Sequence, residues 1–475
     1  MTLENRYNHW SSRGVVALHP FEPKDLPWFN EVRNHPDTAG YLHDSLVYSL
    51  EETKDWFERE KPLYWWVEYT RKPIGYVRTS NVNYEDGSIT VGLDIDPKFR
   101  GSGLAFKVYE ELFDFLRSRL FTRVNLEVLQ SNERALHIYR KLGFVETGST
   151  PHNGDVSIAM TLELPKLKAV KVTPVYFGDR RNWPKHESDS HHVHGLLEYV
   201  IAKEKEIDPG IDCDTVFVIN CISDTDTVTE KDWASKCYEL VKGLDGTNTK
   251  RGVIKVVERE NKGVAFASYD HAFHEFRDLY DVWFFCEDDQ VIVADNVVSA
   301  ALPVLRNLSE PCGFVATVGL ASTPKPHAHG GCGITTRGVL DEVLKEAQNA
   351  SFKKEQHASI SWFHRHGRAH DFPKATSPFD YLGRPHLPCY FPSEGTGLGC
   401  GNKEIEILGE VSFTWCISYA GFSLTNHLLE KINVNWKNAG HDSQVPGLWL
   451  GVLRNCHGEA VRMVPYTEDM DRAMP

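Results

Sequence analysis

The segment Val91–Phe144 constrains this chain more than any other. An alternating apolar run, Ile89-Thr90-Val91-Gly92-Leu93-Asp94-Ile95, reads as a strand and leads into Asp96-Pro97. Arg100-Gly101-Ser102-Gly103-Leu104-Ala105 then opens a helix whose apolar residues (Phe106, Val108, Tyr109, Leu112, Phe113 and Leu116) recur at helical spacing. Glycines at the mouth of a helix let backbone N–H groups approach a ligand closely, and the helix N-terminus favours negative charge. Such a turn suits a phosphate or pyrophosphate, although glycines that merely shape a loop give the same local pattern. The continuation narrows the choice. A second strand, Val124–Val128, is followed by Asn132-Glu133-Arg134-Ala135-Leu136-His137-Ile138-Tyr139-Arg140-Lys141-Leu142-Gly143-Phe144.

In this order, the strand, the R-G-x-G-x-A turn, the helix, the second strand and N-x-x-A-x-x-x-Y-x-x-x-G-F resemble the GCN5-related N-acetyltransferases. Upstream, V-A-L-H-P-F-E-P-K-D-L, V-R-N-H-P-D and S-L-E-E-T-K-D-W-F-E are similar to the branch that acetylates amino-sugar nucleotides and protein or small-molecule amines. The resemblance implies acetyl-CoA as cofactor. Its pyrophosphate would lie on the amides of Arg100, Gly101, Ser102, Gly103, Leu104 and Ala105, with Arg100 adding positive charge. Leu93 and Ile95 would flank the pantetheine arm, and Asn132 would touch it. Tyr139 takes the place of the hydroxyl that protonates the departing CoA thiolate, a role open to a phenol because it is a neutral donor at pH 7. Glu127 and Asp94 are candidates for the general base, with an ordered water as the alternative.

At 475 residues the chain exceeds what one core supports, so two or more domains are expected. No apolar run is long enough to cross a membrane, and the first residues are polar without a signal-peptide core, which reads as a cytoplasmic protein. The formal net charge is −14, and acidic side chains outnumber basic ones in both halves, which argues against a nucleic-acid substrate. All ten cysteines lie beyond residue 200 without C-x-x-C spacing and read as buried free thiols. Histidine clusters such as His191-His192-x-His194 have no cysteine beside them, so zinc is not expected.

The first pattern closes with the strand Val156–Leu164, and Pro165-Lys166-Leu167-Lys168 reads as a short linker. This places one domain at 1–165 and another at 169–475. Beyond the linker, strands alternate with helices: Val170–Phe177, Thr215–Cys221 and Gly252–Glu258, with helices around Leu196–Lys205, Trp233–Lys242 and Ser268–Leu279. The apolar strand from Tyr280 then ends abruptly in Glu287-Asp288-Asp289. Adjacent carboxylates repel one another, and a divalent ion bridging a diphosphate relieves this; a solvated acidic loop is the plainer alternative.

Asn261-Lys262-Gly263, the acidic triplet and the later His329–Leu340 segment follow the order seen in nucleotide-sugar glycosyltransferases of the GT-A fold, which this half resembles more loosely. The resemblance implies Mn²⁺ or Mg²⁺ held by Glu287, Asp289 and a late histidine, His441. It also places the nucleotide-sugar against Asn261, Gly263 and Asp288. Asp442, Asp380 and Glu394 are available as a base near the acceptor.

The fold expectation is therefore α/β in two domains. A GNAT fold, with a mixed and mostly antiparallel sheet and flanking helices, precedes a Rossmann-like GT-A fold. The functional expectation is a bifunctional enzyme that acetylates an amine, such as that of an amino-sugar, and transfers a sugar from a nucleotide-sugar to a glycan acceptor. The alternative is an acetyltransferase of protein or small-molecule amines with a non-catalytic glycan-binding module. Oligomeric state is open, a homo-oligomer included.

Overall fold

The computed structural model describes residues 15–176, 200–221, 231–260, 264–288, 295–317 and 331–347, together with short pieces between and beyond them. By internal contacts the chain divides into two compact units. One is Met1–Lys166 with Leu302–Pro311, and the other is Leu167–Ala301 with Cys312–Pro475.

The first unit is built on β1 (Val16–Pro20), β2 (Trp65–Tyr69), β3 (Lys72–Asn83), β4 (Ser88–Ile95), β5 (Arg123–Leu129), β6 (Val145–His152) and β7 (Asp155–Glu163). Its helices are α1 (Leu26–Asn34), the single turn α2 (Pro36–Ala39), α3 (Leu50–Glu60), α4 (Leu104–Ser118) and α5 (Glu133–Lys141). The strands form one sheet in the order β1-β2-β3-β4-β5-β7-β6. Every step is antiparallel except β4 to β5, which is parallel.

Period-two alternation sends side chains to opposite faces of the sheet. On one face Val124, Leu126 and Val128 pack with Val108, Leu112, Phe115 and Leu116 of α4 and Leu136 of α5. On the other, Tyr76 packs with Leu26, Phe29 and Val32 of α1 and with Trp56 and Phe57 of α3. α3 starts cleanly because Ser49 and Glu52 form a capping box: Ser49 Oγ accepts from the Glu52 amide, and Glu52 reaches back to the Ser49 amide.

The second unit carries β8 (Ala169–Tyr176), β9 (Cys213–Cys221), β10 (Ile254–Glu260), β11 (Val282–Phe285), β12 (Cys312–Ala316), the short pair β13 (Leu320–Ala321) and β14 (His327–Ala328), β15 (Gly333–Thr336) and β16 (Ser423–Thr425). Helices α6 (Lys231–Lys242), α7 (Val264–Phe276), α8 (Val297–Leu305) and α9 (Arg337–Ala347) alternate with them, and β17 (Val452–Arg454) pairs with β18 (Ala460–Met463). The main sheet runs β10-β9-β8-β11-β15-β12-β16, parallel from β10 to β11, with β15 antiparallel to both neighbours. The strands expected at 170–177, 215–221 and 252–258 correspond to β8, β9 and β10.

β11 is shorter than the apolar run suggests. It ends at Phe285; the buried Cys286 still donates its amide to Val172 O of β8 at 3.1 Å, and Glu287 and Asp288 follow, half-buried. The described cysteines Cys213, Cys237, Cys286, Cys312 and Cys332 are buried free thiols, as their spacing suggests. Among the described residues no helix is long and apolar enough to cross a membrane.

Candidate functional site

The site begins where the first sheet comes apart. β4 and β5 pair only through Ser88, Ile89 and Thr90 against Arg123, Val124 and Asn125. Beyond that, β4 stays with β3 as far as Ile95, while β5 stays with β7 as far as Leu129. The Asp96 amide donates to the Ile74 carbonyl at 2.9 Å, which sets the phase of the antiparallel β3–β4 ladder. Hydrogen bonding alternates along such a ladder, so Leu93 and Ile95 turn their main-chain groups away from β3 and toward the side vacated by β5. The Ile95 carbonyl already takes a hydrogen bond there, from Arg100 Nε at 2.7 Å. The result is a gap through the sheet with a strand edge along one wall.

On the α4 face the gap opens into a groove of about 940 Å³, lined among others by Leu93, Ile95, Gly101, Gly103, Asn132 and Tyr139. Gly101 and Gly103 have φ of +86° and +76°, conformations that disfavour other residues, and a Cβ on Gly103 would meet nothing within 4 Å. Gly103 is the N-cap of α4 and offers no side-chain cap, so the first amides of the helix, including Leu104 and Ala105, face the groove without a protein acceptor from the cap. An anion fits that position.

Three of the expected residues also make contacts within the protein. The Arg100 guanidinium is committed inward, donating to Ile95 O, to Asp37 O at 2.7 Å and to Thr38 Oγ1 at 2.6 Å. Burial holds its pKa below the usual arginine value. Arg100 therefore ties the end of β4 to α2, and the cation beside the glycines is Arg134, whose Nη2 lies 3.9 Å from where a Cβ on Gly101 would sit. Ser102 turns its hydroxyl back to Phe99 O at 2.7 Å. Asn132 lines the groove but also caps α5, its Oδ1 accepting from the Ala135 amide at 3.1 Å.

Tyr139 lies on α5 with its ring edge-on to Tyr109, the centroids 5.8 Å apart. Burial raises its phenol pKa above the ordinary value, and the Tyr109 hydroxyl offsets part of that. At neutral pH Tyr139 is thus a protonated donor beside the gap.

The opposite face of the gap carries a second cavity, of about 570 Å³, lined by residues of α1, α3 and the loop between α2 and α3. Arg78 on β3 lines this cavity and joins Asp94 on β4, which lines the groove, in an ion pair of 2.8 Å. Asp94 Oδ2 accepts from Arg78 Nε in this pair. Glu127, on β5, is 61 % exposed and lies 3.8 Å from His43 Nε2. The arginines lining this cavity are matched: Arg33 with Asp44 at 3.0 Å, Arg59 with Glu60 at 2.8 Å and Arg78 with Asp94. Burial alone would raise the Asp44 pKa, but the Tyr48 hydroxyl, the Leu46 amide and Arg33 hold it below the usual carboxylate range. Glu52 and Asp55 remain as carboxylates without a cationic partner among the described residues, beside Trp56, Tyr48 and Tyr64.

This cavity and His43 are absent from the sequence reading. His43 sits in a loop, and its hydrogen-bonding partner Ser157 is 114 positions away. The one local signal was the S-L-E-E capping box, which fixes where α3 starts and so which carboxylates face inward.

In the second unit, Glu287 and Asp288 leave the C-terminal end of β11, half-buried. Asp289, Asn261, Gly263, His441 and Asp442 lie outside the described residues, as do Asp380 and Glu394. Among the described residues no group of three or more His, Cys, Asp or Glu is arranged to hold a metal ion.

The model of the acetyltransferase (GNAT) family matches residues 29–144. The spermidine N(1)-acetyltransferase of Escherichia coli strain K12 is 27 % identical over 146 residues, covering 29 % of this chain and 76 % of that protein. That of Vibrio cholerae is 25 % identical over 139 residues, covering 28 % of this chain and 80 % of its own length. Among solved structures, the Vibrio cholerae spermidine N-acetyltransferase in complex with CoA and spermine aligns with a TM-score of 0.30 at 23 % identity, covering 32 % of this chain and 96 % of that one.

Proposed function

We propose that the N-terminal domain, a GNAT acetyltransferase domain related to spermidine N-acetyltransferases, carries acetyl from acetyl-CoA to the primary amine of a linear, polycationic substrate. The observation that carries this reading is the gap between β4 and β5, which joins an anion-accepting glycine turn on one face to a carboxylate- and aromatic-lined cavity on the other. The cofactor would lie with its pyrophosphate on the Gly101–Ala105 amides and its pantetheine along Leu93 and Ile95. The amine would enter past Asp55, Glu52 and Trp56, a mixture of charge and aromatic faces that suits an alkylammonium. An amino-sugar is the rival acceptor, and the uncompensated carboxylates favour the more highly charged amine.

The chemistry needs one proton removed before attack and one moved during it. The ammonium loses a proton, and its lone pair attacks the thioester carbonyl. The C–N bond forms as the carbonyl electrons move to oxygen, and collapse breaks the C–S bond with the electron pair leaving on sulfur. Tyr139 protonates that thiolate, and the second proton from nitrogen restores the phenol. The products are the acetamide, CoA thiol and one released proton. Thiol release from acetyl-CoA across spermidine, spermine, monoamines and UDP-amino-sugars tests this. Turnover confined to the amino-sugars would reverse the choice of acceptor, and no turnover with any amine would defeat the reading.

For residues 169–475 we propose a nucleotide-sugar-dependent transferase, with the domain boundary at 165–168. The strand order supports it: β9 and β10 lie to one side of β8, and β11 lies on the other. Ligands of open parallel sheets bind outside the strand C-termini at such a reversal, and Glu287 and Asp288 emerge there from β11. A rise in melting temperature with UDP- or GDP-sugar plus Mn²⁺, lost in Asp288→Asn, is expected. No rise with any donor would leave the domain as a module of another kind.

A further inference from the structure

His43 stands on the amine side of the gap in a cluster drawn from four elements. Its Nε2 lies 2.7 Å from Ser157 Oγ on β7 and 3.8 Å from Glu127 Oε2 on β5. Its ring meets that of His152, on β6, at 4.9 Å between centroids and 64° between planes. His152 Nε2 in turn lies 2.9 Å from the His43 carbonyl oxygen, which fixes the loop that carries His43. The imidazole lines the same cavity as Arg78, Asp44 and Asp55 and is about one-third exposed, so a bound amine can reach it.

Resting on the acetyltransferase reading above, we infer that His43 is the general base: it takes the proton from the incoming ammonium, while Glu127 stabilises the imidazolium so formed and Ser157 and His152 hold the ring. The register of β5 against β7 supports the placement. Glu127 pairs with Ala159 and Leu129 with Ser157, so Glu127 and Ser157 share the sheet face turned away from α4. That face is the one opposite Tyr139, which puts the base and the acid on the two sides of the gap through which the acetyl group must pass. Glu127 is 61 % exposed and stands 3.8 Å from the ring, and an imidazole titrates near neutral pH, where a base is needed.

The groups facing His43 set its charge state. Burial is the largest influence and lowers its pKa from 6.5; Glu127 raises it in part, and His152 and Arg78 lower it again. The ring is therefore neutral at pH 7 and ready to accept a proton. The proton taken from nitrogen passes on to solvent through the exposed edge of the ring, so each cycle returns the imidazole to its starting form.

The test is the pH dependence of kcat/KM of the full chain with spermidine and acetyl-CoA, for the unaltered protein, His43→Gln and Glu127→Gln. At pH 7 the His43→Gln protein is expected to lose about 100-fold. The deficit should shrink as pH approaches the pKa of the amine itself, where solvent supplies the free base, and acetyl-CoA affinity should not change. The Glu127→Gln protein is expected to shift the acid limb of the profile to lower pH, because the group that raises the His43 pKa is gone. A His43→Gln deficit that is the same at every pH, or no deficit, overturns the assignment. If His43→Gln does not fold, an unmoved acid limb in Glu127→Gln overturns it instead. An unaltered protein that binds acetyl-CoA but acetylates no amine defeats the acetyltransferase reading, and the base with it.

Discussion

Arg78 Nε and Asp94 Oδ2 meet at 2.8 Å on a diagonal between β3 and β4, at the level where β4 has already parted from β5. Gly92, directly opposite Arg78 in the register, is what lets the guanidinium cross: a Cβ there would lie 2.8 Å from Arg78 Nη2. The pair braces a strand that has lost one of its neighbours. Asp94→Asn is expected to destabilise the first unit by about 1–3 kcal/mol, the range for a hydrogen bond to a charged partner left half-buried. Gly92→Ala is expected to act in the same direction by displacing the guanidinium. Chemical denaturation of the two variants checks both, and unchanged midpoints would remove the brace from the account.

Tyr139→Phe deletes one oxygen atom from a partly buried ring and leaves the packing against Tyr109 in place. The expected outcome is a fall in kcat of about 100-fold, with acetyl-CoA affinity and melting temperature unchanged. An equal fall in affinity would mean that the hydroxyl binds the cofactor and does not donate to its thiolate.

Gly103 holds φ at +76° with open space around its missing Cβ. Gly103→Ala should therefore cost stability only through backbone strain, about 1–2 kcal/mol. Gly103→Val adds a side chain where the pyrophosphate is proposed to lie and should abolish acetyl-CoA binding by calorimetry. Binding by the valine variant at full strength would move the phosphate site elsewhere.

Asp55→Asn removes an exposed carboxylate from the cavity wall. A single exposed ion pair is worth about 0.2–1 kcal/mol, so KM for spermidine should rise by less than about tenfold, while KM for a monoamine bound at the gap should hardly change. The difference should fade in high salt. A salt-independent effect would point to a structural role for Asp55.

In the second unit, burial pushes the thiol of Cys286 up to about 12 and raises that of Cys213 well above the ordinary value. Only the thiolate reacts with disulfide reagents. At pH 8 both thiols should resist modification in the native protein and react after unfolding. Rapid native labelling of either, read by mass spectrometry, would contradict the packing described.

Much of this was legible in the residues because it is local. The alternation of Ile89–Ile95, the apolar spacing that became α4 and the glycines whose φ is positive all lie within a few positions of one another. The rest depends on partners brought from far along the chain. Arg100 reads as a cation for pyrophosphate until its guanidinium is found on Asp37 O and Thr38 Oγ1, more than 60 positions earlier. Glu127 reads as a carboxylate on its own until His43 is found 3.8 Å from it. No spacing rule carries such pairings, since they follow from which strands adjoin and where they stop adjoining. β11 shows the same limit from the other side. Its apolar run ends at Cys286, whose amide still donates to Val172 O of β8 at 3.1 Å, and nothing local says which strands stand on either side of it.

The parting of β4 from β5 also bears on self-association. An unpaired strand edge usually invites a second polypeptide to add to the sheet. Here the edge at Leu93 and Ile95 lies inside the sheet, with β5 on its far side and the α4 and α5 residues of the groove beside it. A long strand would need to thread that slot from one end, whereas a narrow, flexible arm bearing a few amide groups can settle into it sideways. An edge enclosed in this way, between β5 and the residues of the groove, is less open to a second polypeptide than one at the border of the sheet.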